Sequence, residues 1–313
     1  MEQRTLGNSA ITVSLVGLGC NNFGAKLDLE GSRPVIHAAL DAGITLFDTA
    51  DSYGNKGGSE SILGEVLGPR RQDIVLATKF GRQMDSEGKK KGASRAYVIE
   101  AIHASLRRLK TDWIDLYQLH YPDPETPIEE TLRAVEDLIK AGKVHAFGIS
   151  NMPAAEVQQA CNTANGLKLH NIATCQDEYS LLRRGIEETL IPTLMQNKVG
   201  LLPYFPLANG LLSGKYRPGV KPPPDTRLGL APYYVQPYLN DEDMARADAL
   251  RQFAESKGHS LLELAFSWLA AQPVVASVIA GATKAEQVRA NSAAAGWRLR
   301  DDEVAEVERL TRA

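Results

Sequence analysis

At 313 residues the chain is too long for one small layered core and within reach of one large α/β barrel. Its 43% hydrophobic and 23% charged residues suit a soluble globular protein, and a net charge of -3 gives no general pull toward nucleic acid or anionic membranes. No apolar run approaches the roughly 18 residues of a membrane span, and the N-terminal "MEQRTLGNSAITVSLVGLG" carries no signal core, so a cytoplasmic protein is expected.

Short apolar runs alternate with amphipathic segments from end to end. Taken in chain order, the strand-like runs span 13–19, 44–50, 73–79, 114–120, 144–150, 173–179, 200–207 and 275–281. "SAI" near residue 10 suits the turn of a short N-terminal hairpin that closes the bottom of a barrel. Between the runs, "SRAYVIEAIHASLRRL" (94–109) puts Ala96, Ile99, Ile102, Leu106 and Leu109 on one helical face. "PIEETLRAVEDLIKAG" (127–142) reads as a helix with Pro127 in its first turn and Gly142 as its C-terminal cap. Eight runs at intervals of roughly thirty residues, the length of a βαβ unit, predict a single (β/α)8 barrel domain over 1–313. A doubly wound sheet would show the same alternation. The eight regular units and the absence of GxGxxG after the first strand favour the barrel.

Residues 217–240, rich in Pro, Gly and Tyr, break the rhythm and read as a lid or binding loop after the seventh strand. Helical pattern resumes at Asp241 and continues into "LLELAFSWLAA". Cys20, Cys161 and Cys175 show neither CxxC pairing nor metal-type spacing, which fits a reducing cytosol. Cys161 reads as packing, whereas Cys20 falls just past an apolar strand, at a possible pocket position.

Sites in such barrels form where strands end and βα loops begin. The expected ends carry Asp48, with Tyr53 in its loop, then Lys79, His120, Ser150 with Asn151, Gln176, and finally Tyr204, Pro206 and Leu207. Each has a plain reading: Asp48 capping a turn, Tyr53 on the surface, Lys79 solvated, His120 a satisfied core histidine. Their succession at neighbouring strand ends is chemically coherent instead. An ammonium lowers the pKa of an adjacent phenol, a carboxylate keeps that ammonium charged, and an imidazole can hold a carbonyl oxygen. The set offers a proton donor beside an oxyanion site, which a carbonyl needs while it receives hydride. No HxH or HExxH cluster points to a metal. Asp51 reads as a turn or helix-cap residue.

The motifs "GITLFDTADSYGNKGGSESILGEVL", "LATKFG", "LKTDWIDLYQLHYPD", "GKVHAFGISN", "PYFPLANGLLSGKY" and "VIAGATKAEQVRAN" make the chain resemble the aldo-keto reductase superfamily over essentially its whole length. The resemblance implies a (β/α)8 barrel that reduces aldehydes and ketones with NADP(H), or else NAD(H). It implies Tyr53 as general acid, Lys79 and Asp48 tuning it, and His120 orienting the carbonyl. It further implies that Ser150, Asn151 and Gln176 hold the nicotinamide carboxamide and that Tyr204 stacks on the ring. Phe205, Pro206, Leu207, Asn209, Gly210 and Leu211 would line the cofactor, this segment following the pyrophosphate. Gly281, Ala282, Thr283, Gln287 and Asn291 would line the adenosine end. Lys215 and Arg227 match cationic positions of the branch that resembles potassium-channel β subunits, and Lys284 is a further candidate for the 2′-phosphate. These three cations favour NADP(H), and segment 217–240 becomes a strap over the cofactor. The sequence departs from the pattern near the substrate mouth. Cys20, Asn21, Asn22 and then Phe23 follow Gly19, where many relatives carry a pocket aromatic, and Phe205 replaces a common serine. Cys20, Asn21 and Phe23 are therefore the expected substrate-pocket residues.

The implied partner is a small-molecule carbonyl, with oligomeric state left open. Three other readings stand beside it: a cofactor-filled regulatory subunit, an oxidative sugar or alcohol dehydrogenase, and a Schiff-base enzyme using Lys79.

Overall fold

The computed structural model describes residues 1–224, 226–230, 233–238 and 240–312. The chain opens with a hairpin, β1 (Gln3–Thr5) paired antiparallel with β2 (Thr12–Ser14). Eight parallel strands follow: β3 (Val16–Gly19), β4 (Leu46–Asp48), β5 (Val75–Phe80), β6 (Ile114–Leu119), β7 (Val144–Ser150), β8 (Ile172–Glu178), β9 (Gly200–Tyr204) and β10 (Val278–Gly281). Their order is β10-β3-β4-β5-β6-β7-β8-β9. Backbone bonds from Leu201 N–H to Val274 O and from Ala276 N–H to Leu201 O join β9 to the segment before β10. The ring is a (β/α)8 barrel, as the spacing predicted. The first apolar run, read as one strand over 13–19, divides at Leu15, since Val13 belongs to the hairpin.

Between the strands lie α1 (Leu29–Asp41), α2 (Tyr53–Leu67), α3 (Arg95–Leu109), α4 (Ile128–Lys140), α5 (Ala154–Gly166) and α6 (Leu190–Asn197). After β9 come α7 (Arg227–Leu230), α8 (Asp241–Ser256) and α9 (Leu261–Ala270), and after β10 come α10 (Ala285–Ala293) and α11 (Asp301–Arg312). Sequence signals set several boundaries. Ser94 caps α3 by accepting from Tyr97 N–H, and α4 starts after Pro127 and is followed by Gly142 at φ 68°. The buried face of α3 differs from the expected one. Tyr97, Val98, Ala101, Ile102, Ser105, Leu106 and Leu109 are buried, while Ala96 is exposed and Ile99 only half-buried.

Two apolar cores result. The larger lies between strands and helices, and the smaller fills the barrel with Leu46, Ala77, Leu116, Ala146 and Leu202. Leu6 and Val13 from the hairpin belong to the inner core and plug the barrel's N-terminal end. Gly7, at φ +54°, lets the hairpin approach closely, because a Cβ there would lie 2.1 Å from Ala173 O.

Segment 217–240 contains α7 and a 3-10 stretch over Tyr233–Tyr238. The strap expectation at 225, 231, 232 and 239 lies outside the described residues. Side chains tie the strap down. Tyr238 donates to Glu178 Oε1, the Arg183 guanidinium lies 4.5 Å from the Tyr238 ring centre, and Arg227 Nη1 donates to Asn209 Oδ1 at 2.9 Å.

Candidate active site

Strand alternation builds the site. Inside the barrel, Leu46, Ala77, Leu116 and Leu202 form part of an apolar layer, and the residues two positions on are Asp48, Lys79, Gln118 and Tyr204. On β7 the sequence Ala146, Gly148, Ser150 climbs in the same steps. Gly148 is required there, because a Cβ would meet Thr174 Oγ1 at 2.4 Å. Above this polar layer, at the C-terminal mouth, is a cavity of about 250 Å³. Asp48, Tyr53, His120, Ser150, Asn151, Gln176, Tyr204, Phe205, Cys20 and Asn21 all line it, together with Gly19, Arg82, Tyr121 and Ile279.

Lys79, fully buried, is the hub. Its Nζ donates to Asp48 Oδ2 at 2.6 Å, to Thr49 O at 3.0 Å and to Tyr53 Oη at 3.5 Å. The other oxygen of Asp48 accepts from Gln118 Nε2 at 3.0 Å and Gln176 Nε2 at 2.9 Å. Burial alone would lower the Lys79 pKa, but the facing Asp48 and Tyr53 outweigh it and the ammonium is held above its ordinary value. Tyr53 corrects the sequence reading. Burial raises its pKa, Lys79 pulls it down, Asp48 adds to the rise, and the net displacement is upward. Tyr53 is therefore a protonated phenol at neutral pH, with a cation in place to receive a developing phenolate. His120 packs edge-on to Tyr53, ring centres 5.6 Å apart, and burial followed by Lys79 and Arg82 pushes its pKa down to about 2. It is a neutral imidazole that can donate one hydrogen bond.

Asp51 also departs from expectation. It is buried, neither carboxyl oxygen has a hydrogen-bond partner, and Ser52 occupies the helix N-cap position. Burial, then Glu60, raises its pKa to about 8. After Tyr53 the backbone turns left-handed at Gly54, Asn55, Lys56 and Gly57 before α2 continues as an ordinary helix.

The expected cofactor residues fall into three groups. Ser150, Asn151, Gln176 and Tyr204 form a connected set: Ser150 Oγ donates to Gln176 O, Asn151 Nδ2 donates to Ser150 Oγ, and Tyr204 Oη donates to Asn151 Oδ1 at 2.8 Å. Pro206 and Leu207 lead into the second group, a 3-10 segment (Ala208–Ser213) with left-handed backbone at Asn209 and Gly210. Leu211 is 2% exposed and committed to the outer core, so only its backbone faces elsewhere. Lys215 is exposed, and Arg227 reaches Asn209 from the strap. The third group lies at the end of β10 and the start of α10. Gly281 and Lys284 are exposed, Ala282 O accepts from Asn22 Nδ2, Thr283 N–H donates to Gln287 Oε1, and Asn291 is buried.

Among the substrate-pocket expectations, Phe23 is fully buried in the outer core and does not line the cavity. Cys20 does, and burial, then Asp48, keeps its thiol well above its ordinary pKa and protonated. Gly19, Gln118, Arg82, Tyr121, Ile279 and Lys26 escaped the sequence reading. Gln118 sits two positions before His120 on the inward face of β6, a spacing that alternation alone could have flagged. Arg82 and Lys26 lie in loops without pattern. Lys26 is close enough to Arg227 that, after burial, that like charge lowers its pKa.

Among the described residues no group of three metal-ligating side chains occurs, and no helix is long and apolar enough to cross a membrane. The profile of the Aldo/keto reductase family matches residues 15–312. Over 300 residues the chain is 37% identical to a rice protein (Oryza sativa subsp. japonica) named probable voltage-gated potassium channel subunit beta, covering 93% of this chain and 90% of that one. It is 34% identical to aldo-keto reductase YhdN of Bacillus subtilis (strain 168), covering 99% and 93%. It is 32% identical to L-glyceraldehyde 3-phosphate reductase of Escherichia coli O157:H7, covering 93% and 86%. The chain belongs to the aldo/keto reductase family, oxidoreductases that act on carbonyls with a nicotinamide cofactor.

Proposed function

We propose that the protein reduces an aldehyde or ketone to an alcohol with NADP(H), with Tyr53 as general acid. The observation that carries this reading is the buried ammonium of Lys79 set between Asp48, at 2.6 Å, and the phenol of Tyr53, at 3.5 Å. The donor set suits the cofactor. Ser150, Asn151 and Gln176 offer the mixed donors and acceptors a carboxamide needs, and Tyr204 offers an aromatic face. Lys26 and Arg227 lie near one another without a carboxylate partner among the described residues, an arrangement that a phosphate would relieve. Lys215 and Lys284 are further cations for that end, and Gly281, Ala282, Thr283, Gln287 and Asn291 would hold the adenosine.

When bound, NADPH supplies the hydride to the carbonyl carbon. Tyr53 Oη gives its proton to the carbonyl oxygen, and the adjacent Lys79 stabilises the phenolate left behind. Asp48 keeps Lys79 charged and in place, and is itself fixed by Gln118 and Gln176. Neutral His120 donates to the same carbonyl oxygen and turns it toward Tyr53. In the reverse direction the Tyr53 phenolate accepts the alcohol proton.

The test is a panel of aldehydes and ketones, followed by loss of NADPH or NADH absorbance in parallel. Turnover with preference for NADPH is expected. The likeness to a protein named as a channel subunit favours a second reading, a cofactor-binding partner subunit. NADPH binding without turnover on any panel member would support that reading and overturn the first.

A further inference from the structure

We infer that Arg82 selects carbonyl substrates carrying an anionic group, a carboxylate or a phosphate, a few bonds from the carbonyl carbon; this rests on the reductase reading above. Arg82 follows β5 three residues after Lys79 and lines the same cavity as Tyr53 and His120. Its backbone is anchored on both sides: Gly81 O accepts from Gly92 N–H at 2.9 Å, and Arg82 O accepts from Tyr97 Oη at 3.5 Å. The guanidinium lies 5.4 Å from the ring centre of Tyr121, which in turn stacks on His120 with centres 5.2 Å apart. A cation is thus parked two rings away from the proposed carbonyl site.

Nothing nearby neutralises it. No carboxylate lies within ion-pair distance of Arg82 among the described residues. The acids of the neighbouring loops face backbone: Asp85 accepts from Lys89 and Lys90 N–H, and Asp123 accepts from Ala93 and Glu125 N–H and from Thr126 Oγ1. Asp48, the one acid among the described residues that line the cavity, is committed to Lys79, Gln118 and Gln176. The lining also includes Cys20, Phe205 and Ile279, none of which offers a strong polar partner. The cavity therefore holds the carbonyl site and an unpaired cation together. A planar guanidinium matches carboxylate or phosphate oxygens with two parallel N–H donors. Because Arg82 is exposed, its attraction is open to screening by salt.

The experiment compares kcat/KM for 4-oxobutanoate against butanal, and for glycolaldehyde phosphate against glycolaldehyde, in the wild type, Arg82→Gln and Arg82→Lys. The wild type is expected to favour the anionic member of at least one pair. Arg82→Gln should cut that anionic-to-neutral ratio about ten-fold or more, through the KM of the anionic member, and Arg82→Lys should restore part of it. The preference should also shrink as salt rises. The pair that responds tells whether carboxylate or phosphate is the better ligand. Turnover of all four aldehydes with a ratio unaltered by Arg82→Gln overturns the role of Arg82 and leaves the reductase reading standing. No turnover on these four or on the wider panel overturns the reductase reading and this inference with it.

Discussion

Asp51 and Lys79 are both charged side chains taken from water in the same barrel mouth, and they fare differently. Lys79 has Asp48, a backbone carbonyl and a phenol around its ammonium, so burial is offset and the charge persists. Asp51 has no partner for either oxygen, so burial drives it toward the neutral acid. Its folded pKa, about 8, lies above the unfolded carboxylate value. Folding therefore takes up a proton between about pH 4 and 8, and stability falls as pH rises through that window. Asp51→Asn removes the titration. Urea unfolding at pH 5 and pH 8.5 should find that the stability of the variant relative to wild type grows between the two, by ~2 kcal/mol or more. The same pH dependence in both proteins would contradict the buried, unpartnered carboxyl.

Among the elements, the hairpin and the strap are anchored at opposite ends of the barrel by different means. The hairpin plugs the N-terminal end with Leu6 and Val13, and it can seat only because Gly7 has no Cβ to meet Ala173 O and Gly200 N. Gly7→Ala adds that clash to a left-handed backbone and should cost ~2 kcal/mol or more in thermal or urea unfolding. A stability change within ~0.5 kcal/mol would show that the plug has room to shift. The strap is held by polar latches instead: Tyr238 to Glu178, Arg183 to Pro237 O, and Arg227 to Asn209. Polar latches can exchange for contacts to a ligand. If Arg227 meets the 2′-phosphate, Arg227→Ala should weaken NADPH about ten-fold or more in a fluorescence titration and NADH far less. Equal weakening of both cofactors would refute that contact.

For the molecule as a whole, what was legible followed periodicity. The runs at 114–120 and 144–150 are mostly apolar because both faces of a parallel barrel strand are largely buried, and the structure places β6 and β7 there. The run at 13–19 was misread because one apolar segment serves two elements, the hairpin and the first barrel strand. On α3, Ala96 was placed on the buried face because alanine carries little information about burial. The real face includes Tyr97 and Ser105, which an apolar count passes over. In the site, Asp48, Lys79 and His120 were visible because a strand end is a position that sequence can locate. Gln118 lay inside an apolar run with nothing to announce its partner, and Arg82 and Lys26 lay in loops whose path depends on tertiary contacts. The direction of the Tyr53 pKa was also out of reach, since it depends on how far burial and Asp48 outweigh Lys79.

Under the proposed function these strand ends converge on one proton donor, Tyr53. The direct measurement is carbonyl reduction by Tyr53→Phe, with NADPH affinity determined by fluorescence on the same preparation. The expected result is a fall in kcat of about a hundred-fold or more, with NADPH affinity unchanged within about two-fold. Reduction by Tyr53→Phe at a rate comparable to wild type would contradict the assignment of Tyr53 as the proton donor.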